Sequence, residues 1–419
     1  MQEGDFASNL YAALTKSRRH SMNHLEDLYS NLSNRIKPSP IRELMPFIRQ
    51  PGVIGFAGGL PAPETFPVEQ IQEITHNVLA EEPETALQYG ATAGDPRLRL
   101  ALAERLSAKK GIVAKADQVI ITSGSQQALF LIGMIHINPG DKVAIESPTF
   151  TGGIAAFDPF EPDFVPIPMD QDGLMTDYLE EWLDAGNRLK LLYTIPDFQN
   201  PSGVTLSLPR RKHLIALANK HHFIIVEDAP YTDLRYEGET VPAIYSLDDS
   251  NHTYYCGSFS KIFAPIRLGW LVGPLEVLRR LNVAKQPVDT CSPMLTQAIV
   301  YYFLAQGYLD PQIEKIVALY HGRRDVMLAA LEEKMPEQVT WTRPEGGMFI
   351  WITIPENIDT QKLFHIAIEK KVAFVTGSAF FVEGAVQQNT LRVNFISEKP
   401  EQIKEGISRL AEAIREMLG

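Results

Sequence analysis

The feature of this sequence that most constrains its fold is a repeated alternation, from about Val68 onward, of helical stretches with short, continuous apolar strands. Three early helices are predicted over Gln70 to Ala80, Pro96 to Lys110 and Gln126 to Ile135. Strands that are apolar throughout are typical of a mostly parallel sheet with helices on both faces. The clearest predicted strands are Gln118 to Thr122, Lys142 to Glu146, Leu189 to Thr194, Phe223 to Glu227, Thr253 to Cys256 and Gly269 to Val272.

The remaining sequence predicts a second, smaller α+β unit. It opens with a long helical stretch, about Ser292 to Glu333. Near the N-terminus, the Pro- and Gly-rich composition from Pro38 to Pro67 predicts an extended chain that crosses between the domains. We therefore predict an α/β fold whose N-terminal arm and start of the small domain span 1–66, with a large domain over 67–300 and a C-terminal small domain over 301–419. The later elements are strands Gly347 to Ile354 and Leu391 to Phe395 and helices Thr360 to Lys370 and Pro400 to Leu418.

Charge and cysteine content argue against several classes of function. The chain carries 39 Lys and Arg against 51 Asp and Glu, a formal net charge of −12. An acidic chain binds polyanions poorly, so neither nucleic acid nor an anionic membrane surface is an expected partner. Cys256 and Cys291 have no metal-ligand spacing around them, and we expect no metal site and no disulfide framework. The chain opens without a signal-peptide pattern, and its longest apolar run, Ala128 to Ile137, is too short to span a bilayer, so a cytoplasmic protein is expected.

Polar residues that follow the predicted strands are the candidates for chemistry, because ligands bind at the carboxyl ends of strands in open α/β sheets. Ser123 to Gln126 turns from a strand into a helix, where free backbone N–H groups attract anions. Taken alone, this segment is more often an ordinary capped turn. Glu227 and Asp228 end another strand, where a carboxylate binds a metal, a ribose hydroxyl or a cationic ring nitrogen, or has a structural capping role.

A lysine in a small-residue turn is the third candidate. Lys261 stands between Phe259 and Ile262 beside an apolar strand, and a desolvated lysine has a lowered pKa and attacks carbonyl groups. Arg267, six positions later, offers a bidentate grip for phosphate. Asn200, in the turn QNPSG, reads by itself as a turn residue.

Taken together, these segments are far more specific than any one of them. Their order and spacing resemble those of fold-type I pyridoxal-phosphate aminotransferases, with the branch of 2-aminoadipate and kynurenine aminotransferases most similar. The likeness covers about residues 35–419 and implies an aspartate-aminotransferase-like fold. The segments that carry it are TSGSQQAL, ESPTF, PDFQNPSG, EDAPY, GSFSK, RLGW and LRVNF.

The resemblance implies roles for the central residues. Lys261 matches the lysine that forms a Schiff base with pyridoxal 5′-phosphate and then moves the substrate Cα proton. Asp228 matches the carboxylate that pairs with the pyridine nitrogen and keeps the ring an electron sink. Asn200 and Tyr231 match the two groups that bind the cofactor's phenolic oxygen. Lys261, Asp228 and Tyr231 are the predicted catalytic residues.

The resemblance also implies a phosphate cradle and a substrate clamp. Tyr89, in LQYG, matches a tyrosine that reaches the cofactor phosphate of the neighbouring subunit, so a homodimer is expected. Arg392 and the backbone of Gly59 match the groups that bind the substrate α-carboxylate next to Asn200. Arg42 matches a mobile arginine that faces acidic substrate side chains. The cradle itself is matched by Ser125, Gln126, Ser258 and Arg267, with Ser260 alongside.

Three positions depart from the family pattern. Phe150 replaces the tyrosine that stacks on the cofactor ring in many relatives, and it loses the hydroxyl. The loop between Lys261 and Arg267 is one residue shorter than usual and lacks a glycine, which puts the phosphate grip in question. Thr376 replaces a common proline, with no consequence that we can assign.

The sequence predicts an amino transfer from an L-amino acid to a 2-oxo acid such as 2-oxoglutarate. Arg42 favours an acidic donor such as 2-aminoadipate or glutamate, although an ion pair at a surface or interface explains it equally well. An apolar lining favours aromatic or aliphatic donors. Other pyridoxal-phosphate reactions, namely β-elimination, decarboxylation or racemisation, stay open, and a transcriptional regulator or a partner-binding pseudoenzyme is less favoured. The residues expected to form the apolar lining are Phe56, Phe66, Phe150 and Phe380.

Overall fold

The computed structural model describes residues 27–48, 50–263 and 266–419. In chain order the strands are β1 Ile54–Gly55, β2 Val119–Thr122, β3 Lys142–Ser147, β4 Asp163–Asp170, β5 Gly173–Leu174, β6 Leu191–Thr194, β7 Ile224–Asp228, β8 Thr253–Ser258, β9 Gly269–Val272, β10 Thr340–Trp341, β11 Phe349–Thr353, β12 Val372–Ala373, β13 Val375–Thr376 and β14 Thr390–Asn394. The α-helices are Asn31–Arg35, Pro40–Glu43, Met45–Ile48, Val68–Glu81, Pro83–Ala86, Pro96–Lys110, Ser125–His136, Thr151–Phe157, Thr176–Asp184, Leu208–His221, Ile244–Leu247, Leu275–Asp289, Met294–Ala305, Leu309–Lys334, Thr360–Glu369 and Pro400–Leu418.

The largest sheet has eight strands in the order β2-β9-β8-β7-β6-β3-β4-β5. Strands β3, β4, β6, β7 and β8 pair in parallel, and β9 runs antiparallel to both of its neighbours. The core strands β2, β6, β8 and β9 are buried along their whole length, as a sheet covered on both faces requires. The prediction of an α/β fold with a mostly parallel sheet is confirmed. Because these strands are parallel, the residues that follow them meet at one edge.

Local signals explain why several helices lie where the sequence predicts them. The helix Pro96–Lys110 begins after Asp95, whose carboxylate accepts a hydrogen bond from the Arg97 backbone N–H at 2.8 Å. It ends at Gly111, which adopts a left-handed conformation with φ of 65°. A proline at the first position and a glycine past the last one are the usual helix boundaries.

Several elements differ from the sequence-based expectation. The segment expected to be extended contains the short helices Pro40–Glu43 and Met45–Ile48, because a proline at a first helical position favours helix initiation. The expected long helix over Ser292 to Glu333 is two helices, which separate where Gly307 adopts a φ of +76°. The helix Leu275–Asp289 was not predicted, and Pro287 lies inside it. Strand β4 was not predicted either, because its two prolines are tolerated only near the edge of a sheet.

A smaller antiparallel sheet, in the order β10-β11-β14-β13, carries Arg392 on β14. The chain before it is tied to the same region, since β1 pairs with β12 and the Asn394 N–H donates to the Phe56 carbonyl at 2.8 Å. The long helix Leu309–Lys334 contacts the chain that follows β1. Its Tyr320 hydroxyl accepts a hydrogen bond from the Ala62 N–H at 2.9 Å. Residues 54–62 are thereby fixed beside Arg392.

The turn that carries Asn200 is held by a buried arginine. Arg211, on the helix Leu208–His221, is fully buried and forms an ion pair with Asp197 at 2.5 Å. The same guanidinium donates to the backbone carbonyls of Pro196 and Leu206, at 3.0 and 2.9 Å. Both ends of the turn over 196–206 are therefore fastened to one side chain.

The described residues form two compact units, 27–38 and 39–419, and the first contains the helix Asn31–Arg35. The beginning of the predicted N-terminal arm, residues 1–26, lies outside the described residues. The predicted domain limits at 66 and 300 stay predictions. In the part of the chain that the structure covers, no helix combines the length and the apolar character needed to cross a bilayer.

Replacing Arg211 by methionine should lower the free energy of unfolding by about 3–5 kcal/mol, because the Asp197 carboxylate would stay buried without its partner. Arg210→Met is the matched control. Its ion pair with Asp170 lies nearer the surface, so we expect a loss of about 1 kcal/mol. Urea unfolding of the apo-protein, followed by circular dichroism, measures both. Equal losses in the two variants would contradict the anchoring role of Arg211.

Candidate active site

The predicted site residues converge at the carboxyl edge of the large sheet. Asp228 and Ser258 are the last residues of the neighbouring strands β7 and β8. Lys261 lies three residues beyond Ser258. On β7, side chains alternate between the two faces, so Asp228 and Glu227 point to opposite sides of the sheet. Glu227 accepts the N–H groups of Ile244 and Tyr245, the first two residues of the short helix Ile244–Leu247, a structural role that Asp228 does not share.

Lys261 is held against the small-sheet side of the site. Its Nζ donates to the Gly59 carbonyl at 3.1 Å and lies 5.7 Å from the centre of the Tyr231 ring. Burial, together with the positive charges of Arg392 and Arg267, lowers the pKa of Lys261 to about 8. A larger fraction of the amine than in an ordinary lysine is therefore uncharged near neutral pH, and the uncharged amine is the form that attacks carbonyl carbon.

Asp228 presents one free oxygen. Its Oδ2 accepts a hydrogen bond from the Tyr193 hydroxyl at 2.9 Å, whereas Oδ1 is buried with no hydrogen-bond partner among the described residues. Burial raises the pKa of Asp228 to about 6, although the hydroxyls of Tyr193 and Ser125 and the charge of Lys261 act in the opposite direction. A buried acceptor without a partner is costly. Oδ1 thus fits a cationic donor such as a protonated ring nitrogen.

Arg392, Asn200 and Tyr231 form one hydrogen-bonded chain. The Arg392 guanidinium donates to Asn200 Oδ1 at 2.8 Å, and Asn200 Nδ2 donates to the Tyr231 hydroxyl at 3.3 Å. A second Arg392 N–H donates to the Ala57 carbonyl at 2.8 Å. Asn200 therefore links a residue of the small sheet to one that follows β7.

The Arg392 guanidinium is buried with no carboxylate partner in the part of the chain that is described. Its Cζ lies 4.1 Å from the centre of the Phe349 ring and 4.9 Å from that of Phe380. Burial lowers the pKa of Arg392 to about 10, which leaves it charged at neutral pH. A buried, planar cation in this setting fits the carboxylate of a bound ligand.

A second anion-binding arrangement lies where the helix Ser125–His136 begins. Arg267 donates to the Ser123 carbonyl at 3.2 Å and to the Ser260 hydroxyl at 3.0 Å, and Ser258 Oγ lies 2.9 Å from Ser260 Oγ. Gly124 has a φ of +77°, and a Cβ there would lie 2.6 Å from Arg267 Nη2. Despite the short loop before it, the Arg267 side chain thus reaches the helix N-terminus, where a phosphate is favourably bound.

Other predicted residues lie elsewhere or have different partners. Gln126 donates to the Gly152 carbonyl at 2.7 Å, beside the partly buried Phe150. Tyr89 is 80% exposed, and its side chain makes no hydrogen bond with the other candidate residues. Arg42 is likewise exposed in the helix Pro40–Glu43.

Three aromatic residues correct the expected surroundings of the site. Phe56 is fully buried and packs against Gly406 of the C-terminal helix, so it belongs to the core. The sequence reasoning missed Phe349, which stacks on Arg392, and Tyr193, which binds Asp228. A tyrosine in a strand as apolar as LLYT is itself a signal, because its buried hydroxyl needs a partner.

The sequence profile of the family described as aminotransferase class I and II matches residues 52–410. The chain belongs to this family.

Three relatives, each matched over almost its whole length, bear on the chemistry of this aminotransferase. This chain is 49% identical to aromatic-amino-acid aminotransferase 1 of Thermococcus litoralis, over 93% of this chain and 95% of that protein. The solved Pyrococcus horikoshii kynurenine aminotransferase, in complex with PMP, has a TM-score of 0.91 at 43% identity, over 95% of this chain and 100% of that one. The α-aminoadipate aminotransferase of Thermus thermophilus, complexed with N-(5′-phosphopyridoxyl)-L-leucine, has a TM-score of 0.87 at 37% identity, over 94% and 99%.

The predicted family, enzyme class and cofactor are confirmed: the protein is an aminotransferase that depends on pyridoxal 5′-phosphate. The residues described above fit this cofactor. The free Oδ1 of Asp228 suits the cationic ring nitrogen, and the cradle around Gly124 suits the phosphate. When bound, the cofactor supplies an electron sink for the bonding pair of the substrate Cα–H bond.

Competitive labelling of the apo-protein with an amine-directed reagent should show the low pKa of Lys261. The uncharged amine reacts, so the labelling rate should rise with pH and level off above about pH 8. An ordinary lysine would continue to gain reactivity to about pH 10.4.

In Arg392→Gln the curve should move to higher pH, because one of the positive charges that disfavour the protonated amine is lost. Arg392→Lys keeps the charge and serves as the control. A Lys261 curve that matches those of exposed lysines, or that Arg392→Gln leaves in place, would refute the electrostatic argument.

Proposed function

We propose that Lys261 binds the cofactor covalently and that its Nζ is the group that holds and moves the proton of the substrate Cα. Its lowered pKa, which results from burial and from Arg392 and Arg267, suits this role. Asp228 would hold the ring nitrogen in its protonated form through Oδ1. Tyr231 and Asn200, hydrogen-bonded to each other, would bind the phenolic oxygen.

The phosphate would lie at the start of the helix Ser125–His136, bound by Arg267 and by the hydroxyls of Ser125, Ser258 and Ser260. The hydrogen bonds among Arg267, Ser260 and Ser258 orient these donors before any ligand arrives, and preorganised donors bind anions with less loss of entropy. Phe150 would stack on the ring, with Gln126 beside it.

Arg392 would bind the substrate α-carboxylate, together with the backbone of Gly59 and the amide of Asn200. The observation that carries this assignment is that the buried guanidinium has no carboxylate partner in the described chain. The stacked rings of Phe349 and Phe380 support an aromatic or aliphatic amino donor, as does the 49% identity to an aromatic-amino-acid aminotransferase. We propose 2-oxoglutarate as the amino acceptor. The comparisons do not favour the alternative reactions of the same cofactor.

An acidic donor is the second candidate. Arg42 is exposed and forms no ion pair among the described residues, so its charge is available to a substrate carboxylate. Glutamate, formed from 2-oxoglutarate, must itself be bound and released, which also calls for a cation near the side-chain pocket.

The visible absorption spectrum of the cofactor-loaded protein tests the function directly. L-tyrosine, L-phenylalanine, L-2-aminoadipate or L-glutamate would be added, and the yellow band should bleach with productive donors and return with 2-oxoglutarate. Lys261→Ala should abolish this exchange, whereas Arg42→Gln should weaken only the acidic donors. A Lys261→Ala protein with the wild-type rate would overturn the role of Lys261. A yellow band that no donor bleaches would favour β-elimination, decarboxylation or racemisation over transamination.

We propose further that the enzyme is a cytoplasmic homodimer in which Tyr89 completes the phosphate site of the partner. The 80% exposure of Tyr89 in a single chain, beside the exposed Leu87, supports an interface at this surface.

Mixing two variants tests whether Tyr89 acts on the partner's site. Tyr89→Ala and Lys261→Ala should each be strongly impaired as pure proteins. In the mixed dimer one site regains both residues, so random mixing should restore about a quarter of the wild-type activity. If activity does not recover after verified subunit exchange, the site is not shared between subunits. A mixture of Leu87→Ala with Lys261→Ala is the matched control for effects of changing this surface.

A further inference from the structure

A buried tyrosine stands behind the carboxylate that faces the cofactor site. The Tyr193 hydroxyl donates to Asp228 Oδ2 at 2.9 Å, and the residue is fully buried. Its ring packs edge-on against Phe157, with ring centres 5.7 Å apart. Gly153 approaches so closely that a Cβ there would lie 2.4 Å from Tyr193 Cε1. The ring is therefore held in place, with its hydroxyl oxygen beside Asp228 Oδ2.

The register of the sheet makes Tyr193 the residue of β6 that reaches Asp228. Tyr193 pairs with Val226 on β7, and Asp228, two residues further along, lies on the same face. The next residue, Thr194, pairs with Glu227 and points to the other face, where its hydroxyl donates to Glu146 at 2.5 Å. A shift of one residue in this pairing would remove the tyrosine from the site.

The chemistry of the two groups sets the direction of the hydrogen bond. Burial raises the pKa of Tyr193 well above its usual value, with the negative charge of Asp228 adding to the effect, so the phenol keeps its proton. An ionised carboxylate only accepts, and the bond therefore favours the charged form of Asp228. Oδ2 is occupied in this way, and Oδ1 stays without a partner.

Few other groups near Asp228 favour its ionised form. Lys261 favours the ionised form by its charge and Ser125 by its hydroxyl. The Tyr193 hydroxyl offsets more of the burial penalty than either of them. Cys256, the register partner of Asp228 on β8, and Glu146, across the sheet, are both buried with raised pKa values. Tyr231 also has its pKa raised by burial. None of these last three supplies a positive charge.

We propose that Tyr193 is a positioning residue for Asp228: it holds Oδ2, keeps the carboxylate ionised and leaves Oδ1 free for the ring nitrogen of the cofactor. Tyr193 does not touch the reacting atoms and acts only through Asp228. The inference rests on the proposed role of Asp228 in the site, which Asp228→Asn tests separately.

The first test is an infrared titration of the apo-protein, with no cofactor present. The carboxylic acid band of Asp228 is identified as the band that Asp228→Asn removes. In Tyr193→Phe, which keeps the ring but removes the donor, the midpoint of this band should rise by about one pH unit, a tenfold change in the ionisation equilibrium. Tyr254→Phe is the matched control, because it removes a buried phenol of the same sheet that contacts His136 and not Asp228.

The second test is cofactor affinity, measured by quenching of tryptophan fluorescence with pyridoxal 5′-phosphate. Tyr193→Phe should weaken binding about tenfold, matching the shift in ionisation, and should lower kcat with little change in KM. In the Asp228→Asn background, Tyr193→Phe should have no further effect on affinity. An unshifted carboxyl band in Tyr193→Phe, or the same loss of affinity with and without Asp228, would overturn the proposal and leave Tyr193 with a packing role. If Tyr193→Phe shifts the midpoint as expected but Asp228→Asn binds the cofactor as well as the wild type does, the proposed role of Asp228 is refuted instead.

Discussion

The removal of water from three ionisable groups at one edge of the sheet is the constraint on which the site depends. Burial lowers the pKa values of Lys261 and Arg392 and raises that of Asp228, so each charged form is less stable than in water. A protein tolerates this only where ligands or fixed dipoles replace the lost hydration. Asp228 Oδ1, which has no partner, and Arg392, which has no carboxylate partner within the described chain, are the places that a ligand would fill.

The groups that hold these charges come from distant parts of the chain. Arg392 and Ala57 belong to the region of the small sheet, whereas Tyr231 follows the large one, and Asn200 joins the two by hydrogen bonds. Asn200 keeps its position because Arg211 fastens both ends of its turn. Core packing and the geometry of the candidate site are therefore coupled, since disturbing a buried ion pair well inside the fold would displace Asn200 and its hydrogen bond with Arg392.

Part of this arrangement could be predicted from the chain alone. Apolar strands followed by polar residues indicate both the parallel sheet and the edge at which a ligand binds, and the segments EDAPY and GSFSK carry Asp228 and Lys261 there. Helix limits at Pro96 and Lys110 follow from local capping. The sequence pattern did not predict β4 or the helix Leu275–Asp289, because both contain prolines, which local propensity disfavours there. Tertiary contacts override that propensity.

The amino-acid sequence by itself determined the fold class and the family and indicated the candidate site residues, because hydrophobic periodicity and motif spacing are local properties. The tertiary structure decided which of those residues share a space. It placed Phe56 in the core and brought Tyr193 behind the Asp228 carboxylate. These outcomes depend on strand register and on contacts between residues more than thirty positions apart, and no local pattern encodes them.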